Sequence, residues 1–191
     1  MKVIAMIDSF KGSATSEELN QAALKGFPVQ WEKESIPIAD GGEGTMAALF
    51  AAYGGQYKFV TSVGPLGEER VVSYLLTTIN QKRIAIIECA AIIGIQLLDP
   101  SDQTTRQASS YGLGLLIADA INEKVAQIYV TLGGSATTDG GLGLLEALRC
   151  GTNVSTCGRC AQSFVDHKLF FDNSSAETAF WYRTVGFSRC N

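Results

Sequence analysis

The 191-residue sequence contains no uninterrupted apolar run of about 18 residues, the length a membrane-spanning helix needs. Its first residues, MKVIAMID, form a short apolar run that reaches Asp8, without the longer apolar region and small-residue cleavage site of a secretory signal. These two absences lead to the expectation of a soluble, cytoplasmic protein. Basic runs are also missing and the net charge is −4, which argues against nucleic acid or an anionic membrane surface as a partner. Cysteine is scarce where most of the chain lies: Cys89 stands alone among the first 148 residues. The total of five is odd, and without a secretory signal it speaks against a disulfide scaffold. No internal repeat or low-complexity linker occurs.

What is present suits a packed domain. Hydrophobic residues make up 46% and charged residues 18%, enough apolar material for a core. KVIAMID (2–8) reads as a strand buried on both faces of a parallel sheet. Thr15 and Glu18 then stand at capping-box spacing before a helix that ends near Gly26. WEKESIPIA (31–39) reads as a second strand, and DGGEG opens a helix from Thr45 to Tyr53, stopped by Gly54–Gly55. YKFVTSV, RVVSYLLTT and RIAIIEC are three strand-like runs with turns between them, a strand-rich portion. A helix over 111–124 and a buried strand over 127–132 precede the last helix, from about Leu142. The expected class is α/β, a doubly wound and mostly parallel sheet with a strand-rich second portion.

Three loops at strand ends carry the chemistry. LGGSATTDGGLG (132–143) joins a strand to a helix. Glycines let backbone amides approach an anion, and a helix N-terminus favours phosphate. Gly133, Gly134, Ser135, Thr137, Thr138 and Gly140 are the candidate phosphate-binding positions. Asp139 is a candidate metal ligand or proton acceptor. The loop is neither a Walker A motif, for lack of its lysine, nor a Rossmann fingerprint, whose glycine spacing differs. A glycine-rich turn serving chain geometry alone is the other reading. PIADGGEGT (37–45) sets Asp40 and Glu43 around two glycines, suited to Mg²⁺ or general-base work on a hydroxyl. Asp40-x-x-Glu43 equally fits a capping box. DSFKGS (8–13) offers Asp8 and Lys11, the lysine as a point charge for phosphate or a substrate carboxylate, or simply as a solvated side chain. Arg106, Ser109 and Ser110 precede a helix start that suits a carboxylate or a plain N-cap. Glu88 closes a strand, a position where glutamate is often just solvated. Convergence of the three loops points to phosphoryl chemistry on a small polar substrate.

DSFKGS, PIADGGEGT, VGPLGEE, ECAAIIG, SSYGLG and GGSATTDGGLG, in this order and spacing, resemble the bacterial glycerate kinase family over residues 1 to about 148. The resemblance implies Mg²⁺-assisted, ATP-dependent phosphorylation of D-glycerate to a phosphoglycerate, in a cleft between two α/β domains. Asp8, Lys11, Asp40, Glu43, Ser135, Thr137 and Asp139 are the positions that match its motifs. It leaves open which hydroxyl is phosphorylated and the oligomeric state.

Beyond Leu148 the character changes. Residues 1–148 hold 16 acidic and 10 basic side chains, whereas 149–191 hold 3 and 5, and arginine displaces lysine. Family members continue past LLEAL as glycine-alanine and a further strand, where this chain has Arg149–Cys150–Gly151. Arginine and cysteine codons read one base later can give glycine and alanine. The expected organisation is therefore a kinase-like region, 1–148, incomplete relative to the two-domain fold, and an aberrant, frameshifted tail, 149–191. A catalytically dead fragment that at most binds an anion or a partner is the alternative. Cys157-x-x-Cys160, with Cys150 and His167, lacks the second close ligand pair of a structural zinc site.

Overall fold

A computed structural model describes residues 1–151. The chain opens with β1 (Lys2–Ala5), α1 (Ser16–Lys25) and β2 (Glu32–Ser35). The strands pair in parallel, Lys2 opposite Glu32 and Ala5 opposite Ser35, with α1 as the crossover. Thr15 caps α1 through the box its spacing predicts: its Oγ1 accepts from Glu18 N at 3.3 Å, and the Glu18 carboxylate accepts from Thr15 N at 2.8 Å. Two strands and one helix cover only one face. Ile4 and Met6 are accordingly 49% and 53% exposed, so the opening apolar run is not buried on both sides as its composition suggests.

A second sheet is larger. Helix α2 (Thr45–Tyr53) leads into β3 (Gln56–Val63), β4 (Glu69–Ile79) and β5 (Lys82–Glu88), and β6 (Gln127–Thr131) completes the order β3-β4-β5-β6. The first three strands are antiparallel, the strand-rich portion; β5 and β6 are parallel. Parallel pairing, expected mostly in one sheet, is thus divided between the two. Asn80 and Gln81, both at positive φ, turn β4 into β5. Short elements without a readable period fill the crossover from β5 to β6. They are α3 (Cys89–Ile93), a 3₁₀ turn (Ile95–Leu97) and α4 (Asp102–Gln107), followed by the longer α5 (Tyr111–Asn122).

Helices cover both faces of this sheet. Tyr74, Ile87 and Val130 pack with Leu116 of α5 on one side, while Leu75, Ile84 and Ile86 meet Met46 and Leu49 of α2 on the other. Strand β5 is buried on both faces, which explains its unbroken apolar sequence. The last helix, α6 (Leu142–Gly151), lies against α5. Two glycines inside α5 permit its close neighbours. A Cβ at Gly114 would sit 2.5 Å from Leu144 O and 2.7 Å from Ala147 Cβ of α6, and one at Gly112 would strike the Val63 carbonyl of β3. A polar clamp ties the helix to the sheet. Tyr74 donates to Asp119 Oδ2 at 2.7 Å, and Lys58 bridges Asp119 and Glu123 at 2.7 and 2.8 Å.

Candidate functional site

Asn20 and Ser16, both buried on α1, align the first two loops. Asn20 Oδ1 accepts from Ile7 N at 2.8 Å while its Nδ2 donates to Ile36 O at 3.2 Å. Ser16 Oγ donates to Ile7 O at 2.6 Å and accepts from Ile38 N at 3.0 Å. The chain leaving β1 and the chain leaving β2 are therefore held by the same two side chains, at the carboxyl edge of the parallel pair. The DSFKGS and DGGEG loops start from this edge. Lys11 and Arg106 are exposed and form no ion pair among the described residues.

The second and third loops touch. Gly133 N donates to Gly41 O at 2.9 Å, and a Cβ on Gly133 would lie 2.6 Å from both Gly42 Cα and Gly42 N. Only two glycine backbones fit so closely. Within DGGEG, Asp40 Oδ1 accepts from Gly42 N at 2.9 Å, an Asx turn that leaves Oδ2 without a partner among the described residues. Helix α2 begins after this turn, with Gly44 as its N-cap at φ 88°, so Asp40 and Glu43 precede the helix and form no capping box.

The N-terminus of α2 is instead held from a distance. Glu88, at the end of β5 and 6% exposed, accepts from Gly44 N at 3.2 Å and Met46 N at 2.8 Å. Burial raises its pKa, the three first-turn amides offset part of that, and nearby Glu43 adds to the rise. This carboxylate, expected to be merely solvated, is the one site feature the sequence conceals most.

Asp139 has a similar structural commitment. Its Oδ2 accepts from Ser110 N at 2.8 Å, Ser110 Oγ at 2.7 Å and Gly143 N at 3.1 Å, and its Oδ1 accepts from Gly141 N at 3.0 Å. Burial works to raise its pKa, but the donors on Ser110, Gly141 and Gly143 outweigh it and the pKa is lowered. The carboxylate thus stands between the starts of α5 and α6. The helix start in SSYGLG does hold a carboxylate, and it belongs to the chain itself. With Ser110 Oγ also accepting from Leu144 N at 3.0 Å, the first-turn amides of α6 have acceptors already. The sequence pattern offers the α6 N-terminus to phosphate; the fold closes it with Asp139.

Anion-binding capacity lies just upstream. The amides of Gly134, Ser135, Thr138 and Gly140 have no acceptor among the described residues. Gly134 O and Ala136 N bond Ile95 N and Ile93 O at 2.8 Å each, fastening this loop to the end of α3. Ser135 Oγ lies 3.1 Å from Thr137 Oγ1, and Thr138 Oγ1 donates to Thr105 O at 3.0 Å, next to Arg106. Cys89 is buried beside Ser135, and burial pushes its thiol up to about 11, so it is no thiolate nucleophile.

The sequence that carries these glycine-rich loops matches a known lineage. The profile of the Glycerate kinase family matches residues 3–157. The chain belongs to the glycerate kinase family. Glycerate kinase of Halalkalibacterium halodurans is 38% identical over 149 residues, 76% of this chain and 39% of that protein. Glycerate 2-kinase of Escherichia coli K12 is 37% identical over 151 residues, 78% of this chain and 39% of that protein. A solved glycerate kinase 2 from Salmonella typhimurium LT2 superposes with a TM-score of 0.61 at 34% identity, covering 78% of this chain and 40% of the other. The chain therefore spans about 39% of the length of these curated relatives, and its fold is incomplete relative to theirs. No described helix is long and apolar enough to cross a membrane. Cys157, Cys160 and His167 lie outside the described residues.

Proposed function

We propose that the described loops form part of a kinase site that transfers the terminal phosphoryl group of ATP to D-glycerate. The observation that carries this reading is the contact between Gly41–Gly42 and Gly133, which brings the Asp40-bearing loop against the loop with the unpaired amides of Gly134, Ser135, Thr138 and Gly140. Phosphoryl transfer requires positioning and charge neutralisation more than covalent chemistry. The amides of Gly134, Ser135, Thr138 and Gly140 would receive phosphate oxygens, with the hydroxyls of Ser135 and Thr137 as further donors and Gly133 holding the loop in place. Lys11, near Asp8, and Arg106 supply positive charge for the phosphates or the glycerate carboxylate. Asp40 Oδ2 accepts the proton as the glycerate oxygen attacks the γ-phosphorus and ADP departs, with Glu43 adding negative charge next to it. The name of the E. coli relative favours the 2-hydroxyl as the acceptor.

No group of three or more acidic, histidine or cysteine side chains gathers among the described residues, so an all-protein metal cage is not available. Mg²⁺ does not need one, since one or two carboxylates plus phosphate oxygens suffice. Asp40 has one free oxygen, Oδ2, so it would serve the ion only in place of accepting the proton, whereas Asp139 has Oδ1 with capacity to spare. Bound there, the ion would neutralise phosphate charge.

A second reading is suggested by the exposed face of β1: a catalytically dead fragment, at most an anion- or partner-binding module. Under it, residues 149–191 are a frameshifted tail on a 1–148 kinase-like region, although the family match runs to 157 and α6 reaches Gly151. Glycerate-dependent ADP release by the purified 191-residue chain, assayed with MgATP, is the expected result for the kinase. Nucleotide binding without turnover would support the fragment, and tail peptides recovered from native protein, with an intact reading frame, would remove the frameshift.

A further inference from the structure

Glu88 is a buried carboxylate that opens the ECAAIIG motif and lies outside the three strand-end loops. The carboxylate joins the end of β5 to the first turn of α2, across 44 residues of sequence to Gly44 and 42 to Met46. Its side chain lies on the α2 face of the sheet, two residues after Ile86, which packs with Met46 and Leu49. A buried carboxylate left without donors is costly, so the bonds to α2 are coupled to its ionisation. The turn that α2 continues is Asp40–Gly44. Thr45 donates to Gly42 O through Oγ1 at 2.8 Å and N at 3.3 Å, so whatever holds Gly44 and Met46 also holds Gly42, the glycine facing Gly133.

From this chain of contacts we infer that Glu88 is the positioning residue of the site: by gripping the start of α2 it holds the Asp40-bearing loop against the Gly133 loop. The inference rests on the kinase reading for its functional meaning, but not for its geometry. A generic buried polar group would not do the same. Thr131, the register partner of Glu88 on β6, is also buried, and its Oγ1 has no partner among the described residues. Having no hold on α2, it serves as the matched control.

The test uses the full 191-residue chain as wild type, Glu88→Gln and Thr131→Val. Glutamine keeps the shape and one acceptor but removes the charge and turns an N–H₂ group toward amide donors. Amide hydrogen exchange at Gly42–Met46 is expected to quicken at least tenfold in Glu88→Gln, with β4 and β5 unchanged, and to stay at the wild-type rate in Thr131→Val. MgATP affinity, measured by titration calorimetry, is expected to weaken at least fivefold in Glu88→Gln alone. Wild-type exchange at Gly42–Met46 in Glu88→Gln, or an equal increase throughout the chain, would overturn the inference. Failure of the wild-type chain to bind MgATP would count against the kinase reading instead, and the exchange comparison would still decide the role of Glu88.

Discussion

Replacing Asp139 with asparagine separates a loop organiser from a reacting group. In the wild type, Asp139 accepts four hydrogen bonds at the starts of two helices. If the asparagine oxygen takes the place of Oδ2, three of these persist as neutral bonds, each weaker by roughly 1 kcal/mol than its charge-assisted counterpart. The N–H₂ group then faces Gly141 N–H, donor against donor, and the favourable charge at two helix N-termini is lost, about 0.3–1 kcal/mol each. Because these losses share one side chain they are not additive, and roughly 3 kcal/mol is a reasonable sum. For a chain of this size that corresponds to a fall in Tm of about 6–12 °C. The pH dependence gives a second signature. A carboxylate with a lowered native pKa contributes stability that is fully present above the ordinary aspartate range and is lost as pH falls through the native value. The gap between wild type and Asp139→Asn should therefore be widest near neutrality and narrow in acid. Urea titrations between pH 3 and 7 would measure it. An unchanged Tm with activity or nucleotide binding abolished would refute the structural reasoning and return Asp139 to the reacting groups.

Two further substitutions address other parts of the molecule. Gly133→Ala drives a Cβ into the backbone of Gly42, so the loops must separate. It should cost about 1–3 kcal/mol and weaken MgATP binding, and calorimetry showing wild-type affinity would contradict the close-approach argument. Tyr74→Phe removes the 2.7 Å bond to Asp119 while leaving Lys58 in place. A loss of about 1–2 kcal/mol in urea titrations is expected, with binding at the loops unaffected.

How much of this could be read beforehand depends on the range of the interaction. The capping box at Thr15 and Glu18, the bounds of α2 and the strands β3 to β6 were legible, because periodicity and punctuation are local. The two glycines of α5 are poor helix formers, and only the close approach of α6 and β3 explains them. Asp40-x-x-Glu43 has capping-box spacing, yet the left-handed Gly44 is the N-cap, four residues later than that motif requires. Nothing near Glu88 in sequence announces its hold on α2, and Asp139 meets Ser110 across 29 residues. Likewise, buried Asn20 reads as an ordinary helix polar residue, because its donor Ile7 N and its acceptor Ile36 O come from the separate segments that leave β1 and β2. The candidate loops were found by composition, but which of their groups are free to meet a ligand is a property of contacts that no short motif encodes.

The shared grip of Asn20 and Ser16 on both strand exits has a mechanical consequence. Any tilt or slide of α1 carries the departures of the first two loops together, so thermal motion preserves their spacing. Displacement of the second of these loops relative to the Gly133 loop is opposed at two points, by the Gly133–Gly41 hydrogen bond and by the hold of Glu88 on the start of α2. Lys11 and Asp40 are therefore carried on loops of common origin, and the unpaired amides of Gly134, Ser135, Thr138 and Gly140 stand on the loop to which Gly41 is bonded. A ligand held by both loops would meet groups whose spacing is set beforehand by buried side chains of α1 and β5.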